Sequence, residues 1–156
     1  MPYQCVFQLR ESRYHPGSMR EIRLAGCVIT DAKNRVLLLH RNTATLKQWE
    51  IPGGKLEHTE TAEAAATREL YEEMGVEVLV HKELGTRSFV QDGCRMVYTW
   101  FLARILAGDP QVIELDTHDM AEYHAIEDLM HRHDLSPNTR NFLEELKGGR
   151  FTLQSQ

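Results

Sequence analysis

Cysteine is scarce in this chain. The three that occur, at positions 5, 27 and 94 of 156 residues, form no C-x-x-C pair. An odd and scattered set argues against a disulfide framework. Cys27 and Cys94 fall in apolar, strand-like runs, so both are expected to be buried, inert thiols. Long apolar runs are also missing: residues 36–39 and 98–103 are strand-length pieces, far short of a membrane span. The N-terminus has no basic segment followed by a long apolar stretch, which reads as a cytoplasmic protein without a signal peptide. Basic excess is missing too. With 18 Lys and Arg against 23 Asp and Glu, the net charge is -5. That balance gives no general affinity for duplex DNA or anionic membranes, and there is no basic tract to hold RNA. It does not exclude a small nucleotide, whose phosphates a divalent metal can neutralise locally.

What is present is a patterned globular chain, 42% apolar, of a length that suits one domain over residues 1–156. Residues 1–20 read as an arm or an added edge strand, and 149–156 as a tail. Residues 23–30 and 35–40 read as two strands joined at Asp31-Ala-Lys-Asn, a hairpin with buried central positions. Around Pro52-Gly53-Gly54 regular structure is expected to stop, the glycines allowing unusual backbone angles. From Thr61 to Met74 the period changes to that of a helix, with Ala62, Ala65, Ala66 and Leu70 between charges, Thr61 as N-cap and Gly75 as stop. Residues 76–84 read as a strand, 85–93 as a region containing a loop, and 95–105 as a long central strand. Residues 121–125 read as a short strand, 126–131 as a helix or turn, and 137–146 as a helix ended by Gly148-Gly149. Strands around a central helix, with a late helix, imply an α/β fold with a mixed sheet between helices.

The chemistry concentrates in residues 54–76, GKLEHTETAEAAATRELYEEMGV. Glu69, Glu72 and Glu73 span an arc of about 100° on the expected helix. Such crowded carboxylates are either a solvated acidic face or a set of hard oxygen ligands for Mg²⁺ or Mn²⁺. Glu57 and Glu60 add two more just upstream. The histidines show no zinc spacing, and no Ser-His or Cys-His arrangement can be read.

Gly54, Glu60, Arg68-Glu69-Leu70, Glu72-Glu73 and Gly75-Val76 together resemble the Nudix box, G-x5-E-x7-R-E-U-x-E-E-x-G-U with U a bulky aliphatic residue, at every fixed position. The preceding Trp49-Glu50-Ile51-Pro52-Gly53-Gly54 is similar to the family as well, and the resemblance extends over residues 22–146. It implies a Nudix-type α/β/α sandwich with a mixed β-sheet and metal-dependent hydrolysis of a phosphoanhydride bond. By that resemblance, Glu69, Glu72 and Glu73 and the Gly53 carbonyl are metal ligands. Glu69 is also the glutamate often assigned as general base. Arg68 orients a glutamate with Glu60 as its acidic partner, Gly75 stops the helix and Leu70 anchors it. Members often add a carboxylate from a later loop; Glu114, Asp116, Asp119 and Glu122 are candidates here, and Glu57 is a further candidate ligand. Arg41, Gly54 and Lys55 are the candidate substrate contacts, Arg41 preferred over Arg87 and Arg95 as a phosphate clamp. The aromatic residues Trp49, Phe89, Tyr98, Trp100, Phe101 and Tyr123 are each candidates for stacking on a base and for packing.

The stretch after the box lacks the proline of many ADP-ribose members and the tyrosine of many dinucleoside-polyphosphate members. The expected substrate is therefore a nucleoside triphosphate, cut to monophosphate and pyrophosphate. ADP-ribose, a dinucleoside polyphosphate or a capped RNA stand as alternative substrates, and a silent nucleotide-binding sensor as an alternative class. A small-molecule nucleotide is the expected partner, without duplex DNA or membrane; a homodimer is left open.

Overall fold

A computed structural model describes residues 18–154; most of the expected N-terminal arm, residues 1–17, lies outside the described residues. The elements run β1 (Glu21–Ile29), β2 (Val36–Asn42), β3 (Lys47–Glu50), β4 (Gly53–Lys55), α1 (Ala62–Met74), β5 (Glu77–Gln91), β6 (Cys94–Ala107), β7 (His118–His124), α2 (Ile126–Leu129) and α3 (Pro137–Lys147). One sheet has the order β4-β1-β6-β5 and the other β3-β2-β7. β1 and β6 are parallel, from Glu21 opposite Arg95 to Ile29 opposite Ala103, and the other pairs are antiparallel. The sheet structure is thus mixed, as expected.

The central strands are apolar on both faces. Even-numbered Ile22, Leu24, Val28, Val36, Leu38, Met96, Tyr98, Trp100 and Leu102 enter one core with Leu129 of α2 and Phe142 and Leu143 of α3. Odd-numbered Cys27, Ile29, Leu37, Leu39, Phe101 and Ala103 enter the other core with Ala65, Ala66, Leu70 and Met74 of α1. The period of two sends alternate side chains to opposite faces, so α1 covers one side and α2 with α3 the other. This is the α/β/α arrangement. The segment beyond α3 does not trail away: Phe151 stacks on Phe142 at 5.4 Å and joins the first core with Leu153.

Four local expectations are corrected. β1 and β2 are not a hairpin. After the turn capped by Asp31, whose Oδ1 accepts from the Lys33 and Arg35 amides, they share only the bridge Thr30 to Val36 and then enter different sheets. Strands buried on both faces need partners on both edges, and β4 and β6 flank β1 whereas β3 and β7 flank β2. Second, the segment 85–93 is mostly strand. β5 continues to Gln91 with register shifts along its length, and the hairpin turns on Asp92 and Gly93, both at positive φ, the two-residue form that suits twisted strands. Third, Gly53 and Gly54 lie in β4 and are not among the positive-φ glycines; the reason for glycine there is space. Fourth, Cys94 is disulfide-bonded, whereas Cys27 is a free thiol pushed up to about 12 by burial and by Glu63.

Helix α1 begins and ends as its sequence implies. The Thr61 side chain accepts from the Ala64 amide, and Gly75 at φ 70° donates its amide to the Tyr71 carbonyl, a conformation that glycine adopts without Cβ strain.

Candidate active site

The carboxylate-bearing side of α1 faces β4. Gly53 donates its amide to Glu73 Oε1 at 2.8 Å, which ties helix to strand. A Cβ on Gly54 would stand 2.5 Å from the Glu69 carboxylate carbon, so a glycine is needed for that carboxylate to rest against the backbone. The two glycines and the two glutamates wall a cleft of about 270 Å³, completed by Arg41, Lys55, Glu114, Thr117 and His118. Glu114 arrives on the segment between β6 and β7. Ile113 donates its amide to the Glu73 carbonyl, and the amides of Thr117 and His118 both return to the Glu114 carbonyl.

Arg68 braces the approach to this cleft. Its Nε and Nη2 hold the two oxygens of Glu60 at 2.8 and 2.9 Å, Nη2 also reaches the Lys55 carbonyl, and Nη1 reaches Glu69 Oε1 at 3.1 Å and Glu72 Oε2 at 3.0 Å. The bonds from Arg68 hold Glu60 down at about 2, and the Glu60 carboxylate in turn raises the guanidinium. Loop, strand and helix are thereby locked around one cation.

Among the carboxylates of the helix, Glu69 and Glu73 enter the cleft while Glu72 does not. It lies at the far edge of the arc, largely exposed, and leans on Arg68. Glu57 is exposed, 3.7 Å from Arg68. Glu122, placed on β7 beside His124, and Asp119, bound to His40 Nδ1 at 2.6 Å and Asn42 at 2.8 Å, also stand outside it. Asp116 does not line the cleft either. Arg87 is engaged by Glu144 and Glu145, and Arg95 lies beside Ser88. Most of the aromatic candidates are core residues. Phe89 and Tyr98 also line a narrow recess next to the cleft, together with Gln48, Glu50, Gly53 and Asn138. Asn138 Oδ1 accepts from Trp100 Nε1 at 3.0 Å.

Sequence reasoning passed over Glu50, Gln48 and His118. Glu50, 8% exposed, accepts from Arg41 at 2.8 Å, from His118 Nε2 at 2.8 Å and from Gln48 at 3.0 Å. Burial raises its pKa, but the bonds from His118 and Arg41 outweigh this and leave it lowered. A glutamate set between Trp49 and Ile51 was the only signal available for it; His118 had none.

The electrostatics of the cleft suit a hard cation. Burial pushes Glu73 well up, and Glu69, Glu50 and Glu114 push in the same direction. Glu69 is raised by burial, with Glu72 and Glu114 contributing and Arg68 opposing. Among the described residues no three His, Cys, Asp or Glu side chains form a ready metal-binding group. The chemistry of the donor set still fits a divalent cation, because the carboxylate oxygens repel one another and a cation would relieve that.

A family profile described as NUDIX domain matches residues 21–146. The chain belongs to the Nudix family. Nudix hydrolases generally use divalent metals. An 8-oxo-dGTP diphosphatase of Proteus vulgaris is 43% identical over 61 residues, 38% of this chain and 54% of that protein. Diphosphoinositol polyphosphate phosphohydrolase 3-alpha of Mus musculus is 30% identical over 89 residues, 57% of this Nudix chain and 54% of that protein. The matches therefore span about half the length of these curated relatives. The crystal structure of a MutT NUDIX hydrolase from Burkholderia pseudomallei superposes with a TM-score of 0.73 at 29% identity, covering 81% of this chain and 98% of that one. No helix among the described residues is long and apolar enough to cross a membrane.

Proposed function

We propose that this Nudix protein is a pyrophosphohydrolase that uses Mg²⁺, or Mn²⁺ in its place, and cuts a nucleoside triphosphate to monophosphate and pyrophosphate. The observation that carries the reading is the cleft that Glu69, Glu73 and Glu114 line together with Arg41, Lys55, Gly53 and Gly54. Cations and carboxylates lining the same cleft suit a polyphosphate bound together with metal. Phe89, at the rim of the adjoining recess, is the aromatic residue offered for stacking on a base; the recess itself, about 30 Å³, holds no more than a water or two. The similarity to an 8-oxo-dGTP diphosphatase supports the triphosphate choice.

Glu69, Glu73 and Glu114, with the Gly53 carbonyl, are the groups that would hold the metal. When bound, a divalent cation neutralises phosphate charge and acidifies water. The chain's own groups do the rest. Arg41 and Lys55 draw the phosphates into the cleft and hold their orientation. Glu69, kept in place by Arg68, takes the proton of the attacking water as its oxygen bonds to phosphorus and the bridging P–O bond to pyrophosphate breaks. Glu60 keeps Arg68 in position throughout.

The test is a purified-protein panel of the four dNTPs, CTP, 8-oxo-dGTP, ADP-ribose and Ap4A, compared by kcat/KM in Mg²⁺ and in excess EDTA. A triphosphate is expected to lead, with turnover abolished by EDTA and restored by Mg²⁺ or Mn²⁺. A lead of about tenfold for ADP-ribose or Ap4A over every triphosphate, about 1.4 kcal/mol at the transition state, overturns the substrate assignment. Full turnover in EDTA by metal-free protein overturns the metal.

A further inference from the structure

Arg41 stands in the middle of a three-strand cross-section. Across one ladder it faces Gln48 of β3, and across the other it faces His118 of β7. The pairing with His118 depends on a register shift between His40 and Arg41, which leaves Asp119 outside the backbone ladder register with β2. A bulge of this kind re-aims side chains. Here Asp119 turns toward His40 and Asn42, and His118 turns inward toward Glu50.

Glu50 joins the three strands. Arg41 Nε reaches its two oxygens at 3.1 and 3.2 Å and Nη2 reaches Oε1 at 2.8 Å, Gln48 Nε2 takes Oε2, and His118 Nε2 takes Oε1 at 2.8 Å. An ionised carboxylate can only accept, so His118 must present Nε2–H to it. Arg41 and His118 line the cleft, while Glu50 and Gln48 line the recess beside it. The cluster is the partition between the two. Buried ion pairs are weak stabilisers compared with apolar packing of the same volume, so stability is a poor account of four polar side chains at this place. Orientation is a better one: a bidentate carboxylate fixes the plane of a guanidinium.

We propose that His118 and Glu50 are positioning residues that hold the Arg41 guanidinium in the orientation in which it grips the substrate phosphates. This rests on the pyrophosphohydrolase reading above. With His118 in place, both carboxylate oxygens stay committed and Arg41 has one geometry. Without it, Oε1 loses a donor and the carboxylate can turn, carrying the guanidinium with it. Arg41 grips bound phosphate before and during the reaction alike, so its displacement is felt in binding more than in turnover.

The experiment compares wild type, His118→Phe, His118→Gln, Arg41→Ala and the double variant His118→Phe with Arg41→Ala. The readouts are pyrophosphate release from dGTP in Mg²⁺ and calorimetric binding of tripolyphosphate in Mg²⁺. His118→Phe is expected to raise KM about tenfold and to leave kcat within about twofold. His118→Gln, whose amide still donates toward Glu50, is expected to recover most of the loss. On the Arg41→Ala background the phenylalanine substitution is expected to add nothing. Thermal melting checks folding, and His118→Asn, too short to reach Glu50, replaces the phenylalanine variant if that one does not fold. A fall in kcat at unchanged KM, a glutamine variant as poor as the phenylalanine one, or full additivity with Arg41→Ala overturns the proposal. Wild type inactive on dGTP and on the whole substrate panel would sink the pyrophosphohydrolase reading instead. Tripolyphosphate binding then decides the positioning role by itself: about tenfold weaker binding in His118→Phe supports it, and unchanged binding overturns it.

Discussion

Glu73→Gln should separate stability from activity at a single position. Glu73 is 5% exposed, and burial is the main reason its pKa is raised, followed by Glu69, Glu50 and Glu114. An acid whose folded-state pKa lies above its unfolded value costs stability as the pH climbs from the unfolded value toward the folded one. Wild-type protein without metal should therefore lose stability as pH rises above the ordinary glutamate range. The glutamine variant has no such proton to lose. Removing the buried charge relieves about 2–3 kcal/mol. Against this, the Gly53 amide, now 2.8 Å from a carboxylate oxygen, keeps only a neutral acceptor, a loss of about 1 kcal/mol. The net gain of about 1–2 kcal/mol at pH 8 corresponds to a melting temperature higher by about 2–8 °C in a chain of this size. Mg²⁺ is expected to reverse the order, because in the proposed metal site the wild type would hold it through a charged ligand and the variant would not. The assay is thermal melting between pH 5 and 9 in EDTA and in Mg²⁺, with turnover of the same samples. A variant that melts below wild type at pH 8 in EDTA, or that keeps near-normal turnover in Mg²⁺, would refute the reasoning.

Gly54→Ala places a methyl group 2.5 Å from the Glu69 carboxylate, so kcat should drop at least about tenfold, with the melting temperature nearly unchanged since the displaced atoms are the tip of a flexible side chain; near-wild-type kcat by pyrophosphate release would remove the reason given for glycine there. Leu70→Ala empties a site that is fully buried between α1 and the sheet and should cost about 2–5 kcal/mol in urea unfolding, whereas a cost below about 1 kcal/mol would mean that the neighbouring side chains close the gap.

Helix α1 was legible in the sequence from cap to stop, because Thr61, the alanines with Leu70, and Gly75 each act through local geometry that any chain obeys. The apolar runs within residues 23–30 and 95–105 likewise announced strands, the second of them central. The box from Gly54 to Val76 carried the family and, with it, the pairing of Arg68 with Glu60. Local pattern could not assign strand partners. β1 and β2 looked like a hairpin because nothing in two apolar strands says that each will find other neighbours, a matter settled only when both edges of both strands must be filled. The residues around the cleft divide in the same way. Helical spacing put Glu69, Glu72 and Glu73 within one arc, but the position of β4 decided that Glu69 and Glu73 face the cleft and that Glu72 leans on Arg68. Among four late carboxylates, the anchoring of Ile113 to the Glu73 carbonyl brings in Glu114, while the β7 bulge turns Asp119 away. Glu50 and His118 lie 68 residues apart in sequence; their meeting depends on three strands lying side by side, which no local preference encodes.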